Sequence, residues 1–188
     1  ELALGGITTV VGTLGVDAAT GTMAALVAKA KGLREEGLSA YVWTGGYTVP
    51  PTTLTGSVHR DILFVAEVIG VGEIAISDKR AGEPTPVELA KLVSEARNGG
   101  LLSGKAGVTH FHVGDAPRRL APLRTLLDVF DVDPSWIYPT HVERNEGLMA
   151  EAVDLTHRGC TIDVDVVEKD LPVWLRFFRD HGGDPTRL

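Results

Sequence analysis

What most constrains this chain is an alternation. Six β-like runs recur along it: Ile7–Leu14, Ser39–Thr44, Glu73–Asp78, Val108–Val113, Trp136–Val142 and Cys160–Val166. Between them lie longer helical patterns with recognisable starts and stops. Thr85-Pro86-Val87-Glu88 reads as a capping box with proline at the first helical position, followed by an apolar stripe of Val87, Ala90, Val93 and Ala96. Pro122 opens a helix carrying Leu123, Leu126, Leu127 and Phe130. Asn145 caps a run through His157 that Gly159 stops, and Asp170 with Pro172 starts a helix carrying Trp174, Phe177 and Phe178.

Strand and helix in turn predict a parallel sheet with crossover helices. An open doubly wound sheet usually shows a glycine-rich turn after its first strand. Here that turn, Gly12-Thr13-Leu14-Gly15-Val16-Asp17, lacks the G-x-G-x-x-G spacing. A barrel instead predicts polar residues at the carboxyl ends of several strands. Tyr47, Ser77, Asp78, Arg80, His112, Asp115, His141 and Arg144 meet that expectation. A complete (β/α)8 barrel takes about 250 residues, so 188 residues and six units predict a partial one, residues 1–188 forming a single partial barrel domain. The start at Glu1 without methionine and the end at Asp184-Pro185-Thr186-Arg187-Leu188 read as an internal fragment.

The bulk composition narrows the partners. Hydrophobic residues make up 44%, enough for one sizeable core, and the formal charge of −7 argues against nucleic acid or an anionic membrane surface. A lone cysteine, Cys160, excludes an internal disulfide and fits a reducing compartment, so a cytoplasmic location is expected. No stretch reaches the ~18 apolar residues of a spanning helix.

Residues 99–115, GGLLSGKAGVTHFHVGD, offer two sites. Gly99, Gly104 and Lys105 nearly spell a phosphate-binding loop. Ala106 stands where the magnesium-holding hydroxyl belongs, and a helix precedes the loop while a strand follows, the reverse of the required order. The second site is metallic. His110 and His112 share one strand face, Tyr138-Pro139-Thr140-His141 brings a histidine to the same level of the next strand, and Glu73 is a carboxylate among Val71, Ile74 and Ile76, costly to bury alone. Carboxylate and imidazole donors from successive strands suit zinc. A lone strand histidine is more often a hydrogen-bonded core residue, and these residues by themselves do not choose between His110 and His112. Asp163 and Asp165 share a face of the last run and either edge the site or lie solvated at an open edge.

With these residues assembled, the chain resembles the metal-dependent isoaspartyl dipeptidases of the amidohydrolase superfamily. The matching stretches include Gly6–Gly12, Thr44-Gly45-Gly46-Tyr47, Thr55–Val58, Ala75-Ile76-Ser77-Asp78-Lys79-Arg80, Phe111-His112-Val113-Gly114-Asp115 and Pro139-Thr140-His141-Val142-Glu143-Arg144-Asn145. The resemblance implies a distorted (β/α)8 barrel with two zinc ions in the complete enzyme. His112 and His141 match the histidines of the second zinc, and His110 matches no ligand. Glu73 falls where many members carry a bridging carboxylated lysine, with the correspondence slipping by one residue near Gly72. Tyr47 matches the tyrosine that hydrogen-bonds the developing oxyanion. Arg80 and Arg144 match the arginines that grip the substrate carboxylate, a task suited to a planar guanidinium; without the resemblance they read as surface salt-bridge residues. Val16 stands where a small hydroxyl residue contacts substrate.

The implied reaction is zinc-dependent hydrolysis of the beta-aspartyl amide bond of a small dipeptide, in an enzyme that forms homo-oligomers. The family's His-x-His pair and its last-strand aspartate match nothing within residues 1–188, so the chain alone is expected to be inactive. The alternatives are another amidohydrolase, such as an N-acyl-amino-acid deacylase or a dihydroorotase-like enzyme, and a non-catalytic barrel fragment.

Overall fold

Runs rich in β-branched and aromatic residues form the strands, because such side chains pack on a pleated surface. The structure, a computed structural model, describes residues 2–166 and 170–188. Among them, five parallel strands make one sheet in sequence order: β1 (Thr9–Gly12), β2 (Ser39–Thr44), β3 (Val68–Ile76), β4 (Val108–Val113) and β5 (Ile137–Thr140). Helices α1 (Met23–Glu35), α2 (Val58–Phe64), α3 (Pro86–Ser103), α4 (Ala121–Val129) and α5 (Glu146–Arg158) intervene or follow, and α6 (Leu171–Asp180) comes last. The sheet curls into part of an α/β barrel, as the alternation predicted.

The expected sixth strand, Cys160–Val166, does not join the sheet. Asp163 donates its N–H to Pro139 of β5 at 3.2 Å, but Pro139 has no N–H to return, and Ile162 donates instead to Arg187. One bond without its reciprocal leaves this segment extended beside β5 rather than laddered to it.

The helix signals are met more closely. Thr85 accepts from the Glu88 N–H while Glu88 accepts from the Thr85 N–H, completing the capping box of α3. Asn145 accepts from the Leu148 N–H, and Gly159 closes α5 with φ 103°. Of the expected stripe on α3, Val87 is 49% exposed, while Ala90, Val93 and Ala96 are buried, joined by Leu89 and Leu92. They pack with Val71, Ile74, Phe111, Leu123 and Leu126 in the core between sheet and helices.

Two local departures from regularity set up the mouth of the barrel. Between Val71 and Ile74 of β3 the register to β4 slips, so that Gly72 and Glu73 stand opposite His110 alone. Such a bulge re-aims a side chain. At the end of β5, His141 takes a left-handed conformation with φ 63°, rare for a residue with a Cβ and common where a site imposes it.

Candidate metal centre

The bulge turns Glu73 and the left-handed turn directs His141 toward His112, the fifth residue of β4. Glu73 Oε2 lies 3.1 Å from His112 Nδ1 and 3.9 Å from His141 Nε2. The two imidazoles meet edge to face, 4.6 Å between centroids. One ligand atom from each of Glu73, His112 and His141 lies within 4.8 Å of the others. Zinc holds nitrogen and carboxylate donors at about 2.0–2.2 Å, and small side-chain rotations would bring these three around one ion. A carboxylate oxygen and two imidazole nitrogens are a donor set that fits it.

Electrostatics keeps this trio poised. Burial pushes the Glu73 carboxyl upward, but the His112 hydrogen bond and the charges of His112, His110 and His141 prevail, holding it below the usual carboxylate range. Across the His112 ring, Asp78 Oδ2 sits 3.2 Å from Nε2. Asp78 is in turn gripped by Arg80 through Nε at 2.9 Å and a terminal nitrogen at 2.5 Å. Those bonds hold its carboxyl well below the usual range.

Tyr47 reaches the cluster from the long loop after β2. Its carbonyl accepts from the Ala75 N–H, and its ring is buried with Ala75 and Ala81. Its hydroxyl lies 2.8 Å from His112 Nδ1. Burial, with Glu73 next, pushes the phenol up to about 12, so Tyr47 is a proton donor at neutral pH. The loop itself is tied down by Asp61 of α2, fully buried, which accepts from the N–H groups of Leu54 and Thr55 and from the hydroxyl of Thr44.

Of the six site residues expected from sequence, Glu73, His141, Tyr47 and Arg80 gather around His112, and Arg144 lies apart from them. Arg80 lies beside the cluster, its guanidinium 5.3 Å from the Tyr47 ring centroid. Arg144 stands further out, donating from Nε to the Val113 carbonyl at 2.9 Å. It lines a cavity of about 410 Å³ with Asp115, Glu143, Asp165, Asp170 and Trp174. His110 is outside the ligand set: its ring stacks on Trp43, centroids 5.5 Å apart, and burial lowers its pKa. Val16 is exposed.

Three acidic residues near the cluster carry more than the sequence suggested. Asp165 Oδ2 lies 2.7 Å from His141 Nδ1. Glu143, 8% exposed, completes a group with His141 and Asp165 whose ligand atoms lie within 4.8 Å of one another. Asp163 lies beside Tyr138, Thr140 and His110, and burial raises its pKa. The phosphate-loop pattern is dissolved: Gly99 is inside α3, Gly104 caps it with φ 69°, and Lys105 Nζ donates to the carbonyls of Ile62 and Val65, both at 2.6 Å. No helix among the described residues is long and apolar enough to cross a membrane.

No family model matches the chain. Two solved structures of the beta-aspartyl dipeptidase of the thermophilic keratin degrader Fervidobacterium islandicum AW-1 do. One, in complex with a beta-Asp-Leu dipeptide, superposes with a TM-score of 0.90 and 41% identity, covering 94% of this chain and 47% of its own. The other gives 0.91 and 41%, covering 95% and 50%. The chain thus spans about half the length of the solved structures it matches.

Proposed function

We propose, from the chain's likeness to beta-aspartyl dipeptidase structures at 41% identity, that the protein it belongs to hydrolyses the beta-aspartyl amide bond of dipeptides with zinc as cofactor. The observation that carries this reading is the convergence of Glu73, His112 and His141 within 4.8 Å, with the Tyr47 hydroxyl 2.8 Å from one of the imidazoles. Residues 1–188 act in it as one partial barrel domain.

Each residue has a part the geometry supports. Glu73, His112 and His141 hold the metal. A zinc ion so held supplies Lewis acidity that polarises an amide carbonyl and acidifies water. Tyr47 donates its phenolic proton in a hydrogen bond to the oxygen on which charge develops as the amide carbon becomes tetrahedral. The neutral phenol suits that work, since it donates without first having to be charged. Arg144, with one nitrogen anchored on Val113, presents the rest of its guanidinium to a substrate carboxylate. Arg80, fixed by Asp78 through Nε and one terminal nitrogen, keeps its other terminal nitrogen for a substrate carboxylate.

A substrate with two carboxylates explains why two arginines flank one metal cluster, and it favours this reading over amidohydrolases acting on less charged amides. The test is a matched pair of peptides. The zinc-loaded full-length protein is expected to cleave isoaspartyl-leucine and to spare α-aspartyl-leucine; equal rates on both would rule the reading out.

A further inference from the structure

The two nitrogens of His141 face opposite carboxylates. Nε2 looks toward Glu73, 3.9 Å away, and Nδ1 toward Asp165, 2.7 Å away. An imidazole that binds an ion through one nitrogen keeps its proton on the other, so an acceptor at that far nitrogen sets both tautomer and ring angle. His112 shows the same arrangement with different partners, Glu73 at Nδ1 and Asp78 at Nε2.

The acids of the 160–166 segment diverge in environment although they share a face. Asp163 sits with Tyr138, Thr140 and His110. Asp165, its side chain one-third exposed, makes its short contact with His141. Because this segment is not laddered into the sheet, the Asp163–Pro139 bond at 3.2 Å is the main-chain tie that brings Asp165 alongside β5.

We propose that Asp165 is a positioning residue for metal binding: it accepts the Nδ1 proton of His141 and thereby presents Nε2 to the ion shared with Glu73 and His112. This rests on the zinc-hydrolase reading above and extends it to a residue two positions beyond Asp163 on an irregular segment. Glu143 supports the division of labour. Its carboxylate lies within 4.8 Å of the ligand atoms of His141 and Asp165, yet the 2.7 Å contact on Nδ1 is made by Asp165.

The His141–Glu143–Asp165 grouping gives the experiment its second arm, since a direct ligand would behave differently from an orienting one. Zinc affinity is measured by chelator competition, and zinc stoichiometry by elemental analysis, on the full-length wild type, Asp165→Ala and Asp165→Asn. Loss of an orienting partner weakens metal binding by roughly 10–100-fold. That loss is expected in Asp165→Ala, with a smaller one in Asp165→Asn, whose amide oxygen still accepts but carries no charge. Stoichiometry and the melting temperature of the zinc-free protein stay at wild-type values. Nitrogen NMR of labelled histidine is expected to show His141 as the Nδ1–H tautomer in the wild type and as a mixture in Asp165→Ala. Wild-type zinc affinity in Asp165→Ala overturns the inference while leaving the zinc reading intact. Loss of a full zinc equivalent overturns it too, by making Asp165 a ligand. A wild type that binds no zinc defeats the underlying reading itself.

Discussion

The phenolic oxygen of Tyr47 stands 2.8 Å from Nδ1 of His112, though 65 residues separate them in sequence. Removing that hydroxyl deletes one donor and little volume. Tyr47→Phe is therefore expected to lower kcat on isoaspartyl-leucine by about 10²–10³-fold, the usual effect of one lost oxyanion donor. KM and zinc content should stay near wild type. Steady-state kinetics with metal analysis checks both, and a change confined to KM would move Tyr47 from transition-state stabilisation to substrate binding.

The ligand trio makes a prediction about metal removal. Chelation should abolish activity and added zinc restore it. His141→Ala and His112→Ala should each weaken zinc binding by more than the roughly 10–100-fold expected when only an outer partner is lost. His110→Ala, whose ring packs on Trp43 rather than on the cluster, should retain zinc and lose stability instead. Isothermal titration and thermal melts separate the two outcomes.

The legible part of this protein is the part written in local chemistry. Thr85 with Glu88, Asn145 and Gly159 marked helix ends by short-range capping, and those caps are present. Strands β2 and β4 carry the bounds their composition predicted. Cys160–Val166 has the same β-like composition but faces Pro139 across the gap, a long-range relation that periodicity cannot register. The candidate site follows the same division. A carboxylate among apolar neighbours brought out Glu73, and residue type with strand-end position brought out His112 and His141, whereas the partners of their far sides, Asp78 and Asp165, depend on which carboxylate the fold delivers to which ring nitrogen. Asp165 was open between two roles in sequence because alternation fixes a face and not a neighbour. Asp61 carried no sequence signal, since its contribution is to collect loop groups that only the folded chain brings to it.

Gly72 links the bulge to the site. A Cβ there would lie 2.6 Å from the His110 carbonyl oxygen and 2.7 Å from its Cβ, with backbone rather than a flexible tip in the way. Gly72→Ala must push β3 and β4 apart at the residue preceding Glu73. Overpacking of this kind costs about 1–3 kcal/mol, and the displaced carboxylate should also weaken zinc binding. Denaturant unfolding and chelator competition on the same variant read the two effects; a loss of stability with zinc affinity untouched would show that Glu73 does not depend on the bulge for its aim.

Cys160 gives the pH dependence its sign. The residue is fully buried, and burial pushes its thiol from 9.0 up to about 12. Below pH 9 the thiol is protonated in both folded and unfolded chains, so it contributes no pH dependence. Between about 9 and 12 the unfolded chain loses this proton while the native one keeps it. Unfolding is then favoured, by up to about 1.4 kcal/mol for each pH unit. Tyr138, raised from 10.0 to about 12 for the same reason, adds to the fall above pH 10. Urea midpoints recorded from about pH 8 to pH 11 should therefore drop more steeply for the wild type than for Cys160→Ala, which keeps the tyrosine and lacks the thiol. The native thiol should also resist an aromatic disulfide reagent at about pH 8 until urea exposes it. Parallel midpoint curves, or immediate labelling of the native protein, would place Cys160 at the surface and contradict its burial in the core just beyond α5.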